Sequence, residues 1–176
     1  MNTSSKTRSS THRSPDIALR SLRVSYKDVT KRDMPLLMSL IRRYYSLDRL
    51  KFNRDSVRHT LQRLIRHPSA ATVRLIVADG EPVGYYCLSY GWSLEWRGRD
   101  VFLDEIFINA SHRNKGLGTR VLHDIICRAS HHGFKAVHLV VRQSNPRATR
   151  FYLANEFTRQ SVVFMTRPLT SDRHNV

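Results

Sequence analysis

Apolar positions along the chain change their spacing several times, and each change marks an element. Leu37, Leu40, Ile41 and Tyr44 recur at helical intervals. Thr30-x-x-Asp33 stands ahead of them in a capping-box pattern. A second helix is expected over about 55–66, where Val57, Leu61, Leu64 and Ile65 share a face and His67-Pro68 ends the run. A short strand is expected before these helices, over 19–26. The texture then turns extended: TVRLIVA (72–78), a turn at Asp79-Gly80, and PVGYYCLSYGW (82–92) read as a hairpin. SLEWRGRD follows as a longer loop or hairpin end. VFLDEIFI (101–108) is nearly all apolar, as a central strand covered on both faces would be. Val121, Leu122, Ile125, Ile126 and Ala129 form a helical stripe that closes at Gly133. KAVHLVV (135–141) is a further strand, 146–155 a short helix, and 157–160 and 162–167 two closing strands. Antiparallel runs followed by β-α-β predict an α/β mixed sheet with helices on both faces.

Residues 1–17 are rich in Ser, Thr and Arg and carry almost no large apolar side chain, so they are expected to be a disordered basic tail. Their first acid is Asp16, which keeps an organelle transit peptide open as a reading. Residues 18–170 are expected to form one domain and 171–176 a flexible C-terminus. No apolar run approaches the roughly 18 residues of a membrane span. The two cysteines, Cys87 and Cys127, lie far apart in apolar segments, as buried free thiols in a reducing, cytoplasmic setting would. The nine histidines include no His-x-x-x-His pair, and no Cys-x-x-Cys accompanies them, so no metal site is expected.

The charge is lopsided. Thirty Lys and Arg face fourteen Asp and Glu, a net +16. Such a field attracts polyanions, so an acidic partner such as RNA or the ribosome is a candidate. No RNA-recognition or helix-turn-helix pattern accompanies the charge.

The most informative stretch is HRNKGLGTRVL (112–122). Two glycines lie between a central strand and an amphipathic helix. Glycines let a ligand approach backbone amides, and a helix N-terminus presents unsatisfied N–H groups with a partial positive charge. Together these form a phosphate site, with Arg113 and Lys115 beside it. A P-loop would need Gly-x-x-x-x-Gly-Lys-Ser/Thr, which is absent. A dinucleotide fingerprint would need a third glycine where Val121 stands.

What remains, Arg-x-x-Gly-x-Gly, resembles the acyl-CoA pyrophosphate loop of the GNAT acetyltransferases. NPRATRFYLANEF (145–157) resembles the Asn-x-x-Ala-x-x-x-Tyr-x-x-x-x-Phe segment of that superfamily, with Asn145, Ala148, Phe151, Tyr152 and Phe157 matching. VGYYCLSYGW and VVFMTRPL resemble its third and final strands. The similarity covers roughly residues 20–169. Two departures stand out: Glu156 occupies the usual glycine position before Phe157, and Asn114 stands where many relatives have glycine.

The resemblance implies a GNAT fold and acetyl transfer from acetyl-CoA to a primary amine, on a small molecule or on a protein terminus or lysine, by direct attack in a ternary complex. It implies that pantetheine lies between two splayed parallel strands, bonded to the backbone near Ile106, Phe107 and Ile108. The amides of Asn114, Lys115, Gly116, Leu117, Gly118 and Thr119 would hold the pyrophosphate, with Arg113 beside them. Asn145 and Tyr152 would lie along the pantetheine arm, and Tyr152 would protonate the leaving thiolate. A strand amide near Ile108 would stabilise the developing oxyanion. Asp104 and Glu105 are the candidate bases. Strand alternation puts them on opposite faces, one toward the acceptor and one toward a basic neighbour. Tyr90 and Trp92, with Trp96, are candidates for the acceptor pocket, against cross-strand packing as their other role. The acidic pair favours a cationic acceptor, while the net positive charge disfavours free polyamines. Dimers are common among relatives, so a homodimer is a further expectation. The competing class is a binding module on the same fold that senses acyl-CoA or binds nucleic acid without turnover.

Overall fold

The computed structural model describes residues 22–169. The expectations for 1–17 and 171–176, and the first part of the strand expected at 19–26, lie outside these residues. β1 spans Val24–Asp28, β2 Ala71–Ala78, β3 Glu81–Ser93, β4 Gly98–Ile108 and β5 Ala136–His138. They form one sheet in the order β1-β2-β3-β4-β5. Every neighbouring pair is antiparallel except β4 and β5, which are parallel. The helices are α1 (Met34–Leu47), α2 (Arg54–Arg66), α3 (Leu117–His131) and α4 (Pro146–Leu153).

Local chemistry sets the helix boundaries. The Asp33 carboxylate accepts from both the backbone N–H and the hydroxyl of Thr30, capping a short 3-10 turn that leads into α1. The Lys27 ammonium also reaches Asp33 at 2.6 Å, and with that hydrogen bond foremost the Asp33 carboxyl is held down at about 2. The Asn53 side chain caps α2 by accepting from the N–H groups of Asp55 and Ser56. Beyond α3, Gly133 takes φ +75 and stops the helix, as its position predicts.

Two cores flank the sheet. On one side α3 buries Leu117, Val121, Leu122 and Ile125 against Ile76, Tyr86, Leu88, Val101 and Leu103. On the other, α1 and α2 bury Leu37, Leu40, Ile41 and Leu61 against Val73, Leu75, Tyr85, Cys87 and Phe107. β4 is therefore covered on both faces, as its composition predicts.

Of the two readings of 93–100, a longer loop or a hairpin end, the hairpin end holds: a turn over 94–97 joins β3 and β4, which run on beyond their apolar stretches. Two expectations are corrected. The strand expected over 135–141 pairs only at 136–138. The two closing strands at 157–160 and 162–167 do not form; Val162, Val163, Phe164 and Met165 are exposed by 70–86%. β-branched and aromatic side chains favour strands only where a neighbouring backbone completes the ladder.

Candidate active site

The site begins with an irregularity in β4. Leu103 lies opposite Leu88 and Glu105 opposite Cys87, so Asp104 is the extra residue of a β-bulge. Leu103 and Ile106 both pack into the α3-side core, with two residues between them rather than one. Asp104 and Glu105 therefore both belong to the α1 face. The expectation of opposite faces fails, since strict alternation holds only where the ladder is regular.

Glu105 is held by two phenols. The Tyr45 hydroxyl of α1 donates to Oε1 at 3.1 Å, and the Tyr85 hydroxyl of β3 donates to Oε2 at 2.8 Å. Burial raises its pKa above the usual 4.5, the two phenols oppose this, and Asp104 and Asp48 add to the rise. Asp104 is the exposed member of the pair; burial of its carboxyl raises its pKa too, against a hydrogen bond from Ser89. Among the described residues neither acid forms an ion pair with an arginine or lysine. Tyr44 sits beside this pair, its ring centroid 5.8 Å from Tyr45 and 6.4 Å from Tyr85. Burial raises the Tyr44 pKa first, and Asp48, Glu105 and Tyr152 raise it further. Tyr152 itself packs against the α3-side core. Its own pKa is pushed up to about 12 by burial alone.

Between these groups the sheet opens. β4 and β5 pair only from Asp100↔Ala136 to Phe102↔His138. Past that point Leu103–Ile108 pairs with no strand on the β5 side among the described residues, so the edge of β4 is unpaired there.

At the end of β4 the chain turns into the glycine loop. Arg113 donates its Nε–H to the Ile108 carbonyl at 2.6 Å and lies 5.4 Å from the centre of the Phe107 ring. It ties the loop to the strand as well as adding charge. Asn114 takes φ +59 and Gly116 φ +74. Gly116 is the N-cap of α3 and no side chain caps its first turn, so the amides behind it remain open to an anion. Lys115 and Thr119 are exposed at this end, whereas the Leu117 side chain is buried in the core. A Cβ on Gly118 would meet the Phe151 ring at 3.2 Å, so this glycine also lets α4 approach α3. Arg147 reaches the Asn114 side chain and depresses the Arg113 pKa, second only to burial. It is a third cation at the loop, which the sequence pattern did not single out. Asn145 caps α4, accepting from the Ala148 N–H at 3.0 Å; Asn-Pro is a readable helix-start signal that points to this role.

The structure separates three expected aromatic residues, Tyr90, Trp92 and Trp96, from the rest. Tyr90 packs on the α3 side, its hydroxyl on Thr72 at 2.8 Å and its ring 5.2 Å from Phe134. It lies on the opposite face from Glu105. Trp92 is 82% exposed and Trp96 stands 5.8 Å from His138. The aromatic groups that do surround the carboxylates, Tyr44, Tyr45 and Tyr85, come from α1 and β3. Alternation along β3 placed Tyr85 and Tyr90 on different faces, a signal available in the sequence.

The sequence profile of the acetyltransferase (GNAT) family matches residues 34–157. The chain belongs to that family. Among curated relatives, a thialysine N-epsilon-acetyltransferase of Bos taurus is 29% identical over 84 residues, covering 46% of this chain and 49% of the relative. The chain thus spans about half the length of the curated relatives it matches. An integron cassette protein from a salt-marsh metagenome superposes with a TM-score of 0.69 at 25% identity, over 82% of this chain and 90% of that one. An aminoglycoside N-acetyltransferase, AAC(6')-Iy in complex with CoA, superposes at 0.71 with 15% identity, over 86% and 98%. No helix among the described residues of this GNAT chain is long and apolar enough to cross a membrane.

Proposed function

We propose that this GNAT protein transfers an acetyl group from acetyl-CoA to a primary amine by direct attack in a ternary complex. The observation that carries the reading is the bulge at Asp104: it puts two acids, without a basic partner among the described residues, on one face beside the opened β4–β5 edge. The open amides behind Gly116, with Lys115, Arg113 and Arg147 around them, fit the CoA pyrophosphate in charge and donor type. The free edge of β4 offers backbone groups to a pantetheine arm.

In this reading Asp104, the exposed acid, meets the incoming ammonium. Glu105, raised by burial, accepts its proton. The neutral nitrogen attacks the acetyl carbon, the C–S bond breaks, the thiolate takes the Tyr152 proton, and the proton shed by the new amide nitrogen restores the Tyr152 phenol. A phenol pushed up to about 12 still carries that proton at neutral pH. A cytoplasmic location is part of the reading, since the buried free thiol of Cys87 suits a reducing compartment.

The test is a calorimetric titration of acetyl-CoA with ADP as a polyanion control, followed by thiol release with an amine panel. One-site binding much tighter than that of ADP, with amine-dependent thiol release, is the expected result. Equal weak binding of both, seen only at low salt, would reduce the loop to a turn in a basic surface.

A further inference from the structure

Outside the acetyl-transfer site, α1 and α2 enclose a cavity of about 520 Å³ on the surface of the domain. Its walls carry four cations: Lys31 and Arg42 from the α1 side, Arg54 and Arg58 from α2. No acidic side chain lines it. Among the described residues none of the four forms an ion pair or a side-chain hydrogen bond. Asp33, a near neighbour of Lys31 in sequence, is already engaged by Lys27 and Thr30. Four positive charges around one cavity repel each other, and no acid among the described residues pairs with them. Their side chains at the walls would hold an anion with charge-assisted bonds, bidentate at the three arginines.

The lining between the cations is apolar. Met34, Met38 and Phe52 contribute to it, and methionines adapt to ligands of irregular shape. This composition discriminates between polyanions. Single-stranded nucleic acid is bound on aromatic platforms on which bases stack. Phe52 is the one aromatic here, and its ring stands edge-on to Tyr45 with centroids 6.1 Å apart. Aliphatic and thioether surface between guanidinium groups suits a chain that alternates carboxylates with aliphatic side chains.

We infer that the α1–α2 groove is a docking site for an acidic segment of another polypeptide, its carboxylates on Lys31, Arg42, Arg54 and Arg58 and its apolar side chains on Met34 and Met38. The site is separate from the pyrophosphate loop and does not depend on turnover. It adjoins the carboxylate face, because Phe52 packs on Tyr45 and Tyr45 donates to Glu105.

The experiment is fluorescence anisotropy with a labelled peptide of alternating Glu and Leu, at about 150 mM salt, where exposed charges are screened beyond about 8 Å. CoA is present in excess so that the pyrophosphate loop cannot hold the peptide. The controls are the same peptide with Gln for Glu and a single-stranded RNA of equal charge. Saturable binding of the acidic peptide, weakened on the order of tenfold in R54Q/R58Q and absent for the Gln peptide, is the expected result. K31Q/R42Q, which changes the other wall, is the second variant should the first fold poorly, and is expected to weaken binding likewise. No binding, binding indifferent to both variants, or tighter binding of the RNA with the same loss in the variants would overturn the inference.

Discussion

Tyr85 of β3 donates its hydroxyl to Glu105 of β4 at 2.8 Å, across the strand pair whose register the Asp104 bulge shifts. The contact fixes a carboxylate that has no basic partner among the described residues, and burial raises its pKa above 4.5. A base must be ionised to work, so the raised value moves the acid limb of activity upward. The value of kcat/KM is expected to climb as pH rises through a midpoint above 4.5. E105Q is expected to lose on the order of 10²-fold in kcat/KM at neutral pH and to flatten that limb. A pH–rate profile of both proteins checks this; an unchanged limb would remove Glu105 from proton transfer.

Tyr152 is expected to act on the leaving group rather than on binding. Y152F should lower kcat on the order of 10²-fold while the acetyl-CoA affinity stays at the wild-type value. Steady-state kinetics with calorimetry separates the two, and full turnover in the variant would dismiss the acid role.

Glu156 takes φ +67, a left-handed conformation that costs a side-chain-bearing residue roughly 1–2 kcal/mol. It stands where the resembling segment has glycine, and the backbone keeps the turn regardless. E156G is therefore expected to stabilise the fold by roughly 1 kcal/mol, after the flexibility glycine adds to the unfolded chain. Urea denaturation of the pair measures it, and a loss of stability would mean that the Glu156 side chain contributes more than its strain removes.

The two cysteines should differ sharply in reactivity. Burial first, then Asp104 and Glu105, pushes the Cys87 thiol up to about 12, whereas Cys127, expected to be buried like Cys87, is exposed on the outer side of α3. Since the thiolate is the reactive form, a maleimide at neutral pH is expected to label Cys127 in the native protein and Cys87 only after unfolding. Mass spectrometry of digests reads the sites; native labelling of Cys87 would show that the carboxylate face opens in solution.

The sequence by itself determined the elements whose signal is local. Helices α1 to α4 follow from apolar stripes and end signals such as Thr30-x-x-Asp33 and Gly133, while the Asn53 cap emerged only in the structure. The β2–β3 hairpin follows from Asp79-Gly80, and the glycine loop from its place between a strand and a helix. The loop's departures from glycine, Asn114 and Glu156, were visible too, although only the backbone revealed that both occupy positive φ. Other features depended on which chains lie side by side. The Asp104 bulge appears only when β3 is laid against β4, because one extra residue leaves no mark in a list of residue types. The early end of β5 shows only in its pairing with β4, which stops at Phe102↔His138. The exposure of 162–165 reflects a ladder without a partner, which β propensity cannot foresee. The setting of Glu105 between Tyr45 and Tyr85 joins residues 60 and 20 positions away in the chain. Burial and hydrogen bonding act through space, so the tertiary structure alone decided which acid is dry, which is exposed, and which aromatics attend them.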